Sequence, residues 1–145
     1  MFNGVIPTCY GKLRLPRYGY SSGRALTLLL DMVEPQIMDI FEKYIKSFKN
    51  GYFIDIGAAA DAWYSIKACN MNPNITVIAI EPLKTEYLYM VDNLRRCCPK
   101  GKVIPLKIAV GNTRGIINIE GEYVRCLPLD DIITVSYTHL TLPTN

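Results

Sequence analysis

Two acids, Asp55 and Glu81, stand at or near the ends of short apolar runs, and small residues follow the first. The first run is Tyr52-Phe-Ile-Asp-Ile56, continued by Gly57, Ala58, Ala59 and Ala60. The second is Val77-Ile-Ala-Ile80, closed by Glu81-Pro82. A carboxylate has two acceptor oxygens, enough for the vicinal hydroxyls of a ribose, and small residues let a ligand lie against backbone. Strand, small-residue turn, helix, strand and terminal acid is the layout of a nucleoside-binding βαβ unit. Asp55 has two readings: an acceptor for a ligand's cationic amino group, or a residue that caps and orders the turn. Glu81 reads as a ribose ligand or as an ordinary exposed strand-end acid. Pro82 fixes the turn after it.

The glycine pattern restricts the ligand. Pyrophosphate needs Gly-x-Gly-x-x-Gly or a Walker lysine, and neither follows Asp55. A thioether-linked nucleoside asks less of the loop. Asp61 is placed to cap the next helix, where it would also repel a ligand carboxylate. Trp63 and the tyrosines Tyr18, Tyr20, Tyr87 and Tyr89 are offered either as pocket lining or as core packing.

The elements that must position these residues can be read from periodicity. Residues 1–23 are rich in Gly, Pro, Tyr and basic side chains, which suits short strands or turns. Ala25 to Val33 is apolar and short, so strand and helix stay open. From Pro35, apolar Ile37, Ile40, Phe41, Tyr44, Ile45 and Phe48 predict an amphipathic helix stopped at Asn50-Gly51. Strands follow at 52–56, 76–80, 103–110 and 116–119, with helices at about 61–70 and 84–97 between the first three. Apolar strands alternating with helices imply a mostly parallel sheet and a Rossmann-like α/β fold.

Composition fits one globular domain: 145 residues, 50% hydrophobic, 20% charged, net charge +3. A charge this mild, without a basic stripe, leads us to expect no nucleic-acid partner. Five cysteines without Cys-x-x-Cys spacing predict reduced thiols and a cytoplasmic setting. No apolar run is long enough for a membrane span, and residues 1–10 do not read as a signal peptide. The last eleven residues, Val135 to Asn145, carry no charge and no glycine. They resemble a translated synthetic sequencing adapter, the alternative being a genuine strand. His139, the single histidine, lies in this tail and is not assigned as a base.

In order along the chain stand Phe53-Ile-Asp-Ile-Gly-Ala58, Trp63-Tyr-Ser65, Val77-Ile-Ala-Ile-Glu-Pro82, Asn93-Leu94, Ile108-Ala-Val-Gly111 with Gly115, and Leu129-Asp-Asp131. Preceded by Glu34-Pro35, this succession resembles the FkbM-type methyltransferases over about Glu34 to Ile133. The resemblance implies S-adenosylmethionine as cofactor, in a class I methyltransferase fold. It implies methylation of a hydroxyl on a sugar, glycan or small metabolite. It places the methionine part at Gly57, Ala58 and Ala59, the ribose at Glu81, and the adenine edge near Ala109 and Val110. Two departures stand out. Asp61-Ala62 precede Trp63 where the family has fewer residues and a glycine. The family's next strand, Lys-x-Asp-x-Glu-Gly, is absent, so residues 51–134 are expected to be the cofactor-binding half alone, after a lead-in and helix at 1–50 and before the tail at 135–145. The alternatives are a nicotinamide-dependent oxidoreductase, which the missing glycines disfavour, and a non-catalytic nucleoside-binding module.

Overall fold

A computed structural model describes residues 4–16 and 21–140, with side chains as far as Thr134. Tyr18, Tyr20, the His139 side chain and the last five positions of the tail lie outside the described residues. The chain opens with β1 (Val5–Thr8) and β2 (Gly11–Arg14), an antiparallel hairpin. The undecided apolar segment is helical: α1 (Ser22–Leu29) begins where Ser21 Oγ accepts the Arg24 N–H at 3.1 Å. Next come α2 (Pro35–Ser47), β3 (Gly51–Ile56), α3 (Trp63–Met71), β4 (Ile75–Ile80), α4 (Lys84–Cys97) and β5 (Lys102–Leu106). Proline opens α2, where a missing N–H costs nothing. The acid before it does not cap the helix; Glu34 instead accepts the Tyr64 hydroxyl.

β3, β4 and β5 form a parallel sheet in that order, so β4 is central and buried throughout. Alternation along the strands sorts their side chains into two layers. Phe53, Val77 and Ala79 pack with α3 and α4 around Trp63, Ile66, Met90 and Leu94. Ile54, Ile78, Ile80, Ile104 and Leu106 form a second cluster with Ile132. That residue belongs to α5 (Leu129–Leu140), which therefore covers the other face. Helices on both faces of a parallel sheet make the fold Rossmann-like α/β.

The expected strand at 103–110 is two strands. Leu106 O accepts the Glu81 N–H at 3.1 Å, and the chain then leaves the first sheet. Ala109 and Val110 form β6 (Ala109–Val110) beside β8 (Glu122–Leu127), which also pairs antiparallel with β7 (Gly115–Ile119). Glu120 and Gly121, both at positive φ (50° and 87°), make the tight β7–β8 turn. β8 and α5 have no counterpart in the sequence-based elements. α5 runs across the point where the charge-free tail begins.

Polar ties bind the outer elements to this frame. Lys67 is 1% exposed, and its Nζ lies 2.8 Å from Asp31 and 3.2 Å from Glu42. A buried ammonium requires such partners, and this one joins the α1–α2 connection, α2 and α3. Asn93, fully buried in α4, donates to Arg14 O and Ala60 O, both at 2.7 Å, and accepts the Arg14 N–H at 2.7 Å. One amide thus fastens β2, α4 and the loop after β3. The expectation of five reduced thiols is corrected: Cys69, in α3, and Cys98, at the end of α4, form a disulfide. They stand 29 positions apart, and the packing of two helix ends, which cysteine spacing does not reveal, brings them together. The disulfide also removes the thiol-based support for a cytoplasmic setting. Among the described residues no helix is long and apolar enough to cross a membrane.

Replacing Asn93 by leucine, of similar size, should leave an N–H and two carbonyls buried without partners. Each such orphan costs about 1–3 kcal/mol, so Asn93→Leu is expected to lower stability by at least about 3 kcal/mol. Urea unfolding should show a lower midpoint at unchanged slope. An unchanged midpoint would remove Asn93 from this role.

Candidate functional site

The site is built at the carboxyl ends of β3 and β4, where open parallel sheets hold ligands. Asp55 pairs in register with Ala79, and Ile56 with Ile80, so Asp55 and Glu81 lie at the same end of neighbouring strands. Asp55 and Ala79 share a face by register, and Glu81, two residues past Ala79, continues it.

Asp55 does what its structural reading proposed. Its Oδ2 accepts from the Ser65 N–H at 3.1 Å and the Ser65 hydroxyl at 2.6 Å, in the first turn of α3. Asp61 holds the same turn from the other side: Oδ1 accepts the Trp63 N–H at 3.1 Å. Its other oxygen, Oδ2, lies 2.9 Å from Arg24 Nε and 2.8 Å from Arg24 Nη2. Arg24 comes from α1, and no spacing pattern in the sequence points to it. Asp61 is therefore neutralised by a guanidinium as well as serving the helix start. Trp63 is 1% exposed and packs edge-on to Tyr10 at 5.8 Å, with Lys67 over its ring. Its place is the core. Tyr87 and Tyr89 pack against the same core.

The loop at 57–62 lies across the end of β4. The Gly57 and Ala58 N–H groups donate to Ile80 O at 2.9 and 3.0 Å. Ala59 N–H donates to Glu81 Oε2 at 3.1 Å, and Ala60 N–H to Glu86 Oε2 at 3.0 Å. Glu81 Oε1 accepts the Leu83 N–H at 2.9 Å across Pro82. Glu81 is 6% exposed, so a ribose reaches it only if the loop shifts. A carboxylate has about four acceptor positions, and two backbone donors leave capacity for hydroxyls. Gly57 sits at φ 78° and has open space where a Cβ would point, so its backbone is accessible to a ligand. Ala59 and Ala62 also have positive φ, 54° and 48°. Such backbone costs an ordinary residue roughly 1–2 kcal/mol and must be held by its contacts. Asp55, Asp61, Glu81 and Glu86 thus surround this loop, and among the described residues Arg24 is the cation bonded to it. This set of acids suits a nucleoside with a cationic end and opposes a pyrophosphate.

Ala109 and Val110 lie in the second sheet. Val110 packs into the apolar cluster of Ile78 and Ile80, while Ala109 packs with Val124 and Cys126. Cavities of about 290 Å³ between α4 and β5 (Val91, Leu94, Val103, Pro105) and about 420 Å³ against α2 (Ile40, Lys43, Tyr44) lie away from the strand ends.

No family model and no curated protein matches the chain. Solved structures do. Precorrin-6y C5,15-methyltransferase from Geobacter metallireducens GS-15 is 24% identical over 50% of this chain, with a TM-score of 0.42. The human METTL16 catalytic domain, in complex with MAT2A 3'UTR hairpin 1, is 18% identical over 76% of this chain, at 0.46. The N-terminal domain of human METTL16 is 18% identical over 96% of this chain and 69% of its own, at 0.42. The chain spans 37% and 45% of the first two. These are likenesses of fold and assign no activity. One expectation is nevertheless corrected. A chain of related fold is in complex with the MAT2A hairpin, so the mild net charge no longer excludes nucleic acid as a partner.

Burial pushes the carboxyls of Asp55, Asp61 and Glu81 above their ordinary range. The Ser65 donors, Arg24, and the Leu83 and Ala59 N–H groups respectively oppose this without cancelling it. A carboxyl raised on folding binds its proton at a pH where the unfolded chain has released it, so stability grows as pH falls through that window. Glu42, held below its ordinary range by Lys46 and Lys67, loses its contribution only at lower pH. The thermal midpoint should therefore rise as the pH falls from neutrality toward the ordinary carboxyl range, and rise less in Asp61→Asn. A midpoint that falls over this range would contradict the burial of these groups as charges.

Proposed function

We propose that the chain binds S-adenosylmethionine across the carboxyl ends of β3 and β4 and belongs to an enzyme that transfers its methyl group to a hydroxyl. The observation that carries this is the meeting of Glu81 with the Gly57–Ala59 backbone. A ribose-competent carboxylate adjoins an accessible glycine inside a ring of acids. Those acids favour the sulfonium and ammonium of this cofactor and disfavour a dinucleotide's phosphates. The order of motifs, shared with FkbM-type methyltransferases, supports a hydroxyl acceptor on a sugar or small metabolite.

In this proposal the labour is divided among these residues. The cofactor supplies an electrophilic methyl group. Glu81 offers the acceptor oxygens that fix the ribose hydroxyls. Asp55, bonded to Ser65, and Asp61, bonded to Trp63, hold the start of α3 and so set the position of the loop. Val110, on the Ile78–Ile80 cluster, supports an apolar wall beside the strand ends. These residues bind and orient; methyl transfer to oxygen also depends on positioning and on removal of the hydroxyl proton.

Calorimetric titration with S-adenosylhomocysteine and, separately, with NADH tests this proposal. Binding of the first and not the second is expected. Hydrogen bonds to a charged acceptor contribute about 1.5–3 kcal/mol each, so Glu81→Gln should weaken binding at least about tenfold. Preference for the dinucleotide, or full affinity in Glu81→Gln, would refute it.

A further inference from the structure

Asp61 is 2% exposed, and its charge is met by a residue from outside the βαβ unit. Arg24 gives both Nε and Nη2 to a single oxygen, Oδ2, while Oδ1 is spent on the Trp63 N–H. The pairing is a fork closed on one tine. A carboxylate free to present both oxygens makes the stronger, two-pronged contact with a guanidinium. The Arg24 side chain is 34% exposed, so part of it is open to an incoming group. The same loop lies over Glu81 through the Ala59 N–H. Release of Asp61 and access to Glu81 are thereby linked through three consecutive residues.

If the crevice takes the nucleoside proposed above, the ligand's amino-acid end brings an ammonium and a carboxylate. The ammonium is favoured by the acids bonded at this loop, Asp55, Asp61, Glu81 and Glu86. The carboxylate has Arg24, already engaged by Asp61. We propose that the Arg24–Asp61 ion pair is a latch opened by the ligand's own carboxylate, which replaces Asp61 on Arg24 as the loop lifts from Glu81. Asp61 acts as an internal stand-in for that carboxylate, and Arg24 is a ligand-binding residue. Asp61 also sets the affinity, because the ligand must outcompete it.

The test uses two probes that share the nucleoside thioether. S-adenosylhomocysteine carries the amino-acid end; 5'-methylthioadenosine lacks it. Titration calorimetry on the whole chain compares the starting protein with Asp61→Asn, Arg24→Gln and Arg24→Lys, each first checked for an intact far-ultraviolet spectrum and a cooperative melt. Asp61→Asn should tighten S-adenosylhomocysteine about three- to tenfold, because the competing charge is gone. Arg24→Gln should weaken it at least about tenfold, with Arg24→Lys between, because lysine keeps the charge but not the fork. Affinity for 5'-methylthioadenosine should not fall in the Arg24 variants, since that probe has no carboxylate for the guanidinium and gains from a loop no longer latched over Glu81. Equal effects on both probes, or weaker S-adenosylhomocysteine binding in Asp61→Asn, would overturn the latch and leave the nucleoside site standing. Failure of both probes to bind any of the proteins would overturn the latch together with the nucleoside site.

Discussion

Parallel pairing of β3 with β4 is the constraint on which the rest depends. The register that sets Asp55 against Ala79 carries both strands to the same end of the sheet, and β4 delivers Glu81 there. β4 can occupy the centre because every one of its side chains is apolar or small enough to be covered on both faces. Were the register to slip by one residue, Asp55 would face the Ile78–Ile80 layer, and Ser65 in the first turn of α3 would lose its acceptor.

Around that frame, charge and backbone polarity are handled locally. The α3 start takes two carboxylates, a placement that a helix amino terminus favours. Burial of these acids makes the site costly at neutral pH, and Arg24 offsets part of the cost for Asp61. Natural chains accept such local cost where a ligand must be received. The hairpin and the first two helices are more than a lead-in. Arg24, Asp31, Glu34 and Glu42 all reach α3 or the loop before it, while Asn93 ties β2 to α4 and that loop.

Much of this was legible from the residues. The Tyr52–Ile56 and Val77–Ile80 runs, the Pro35 helix start and the Lys84–Cys97 helix all carry strong local signals, and each forms within a residue or two of expectation. The break in the 103–110 segment was not legible, because the chain leaves the first sheet after Leu106 and joins β8 at Ala109, a tertiary choice that an apolar run does not encode. β8 buries only Val124 and Cys126 among charged and aromatic neighbours, so its alternation is faint. For the site, residue type and spacing gave the acids but not their partners. Asp55 and Asp61 are turned toward Ser65, Trp63 and Arg24. Those contacts, like the Cys69–Cys98 pairing, exist only once helices are packed.

The most direct measurement of the central claim is the change in backbone amide NMR shifts on titrating the chain with S-adenosylhomocysteine. The account predicts the largest changes at Gly57 to Asp61 and at Glu81 and Leu83, with smaller ones at Ala109 and Val110. Changes confined to the α2 face or to the cavity between α4 and β5, with the β3 and β4 ends silent, would contradict it.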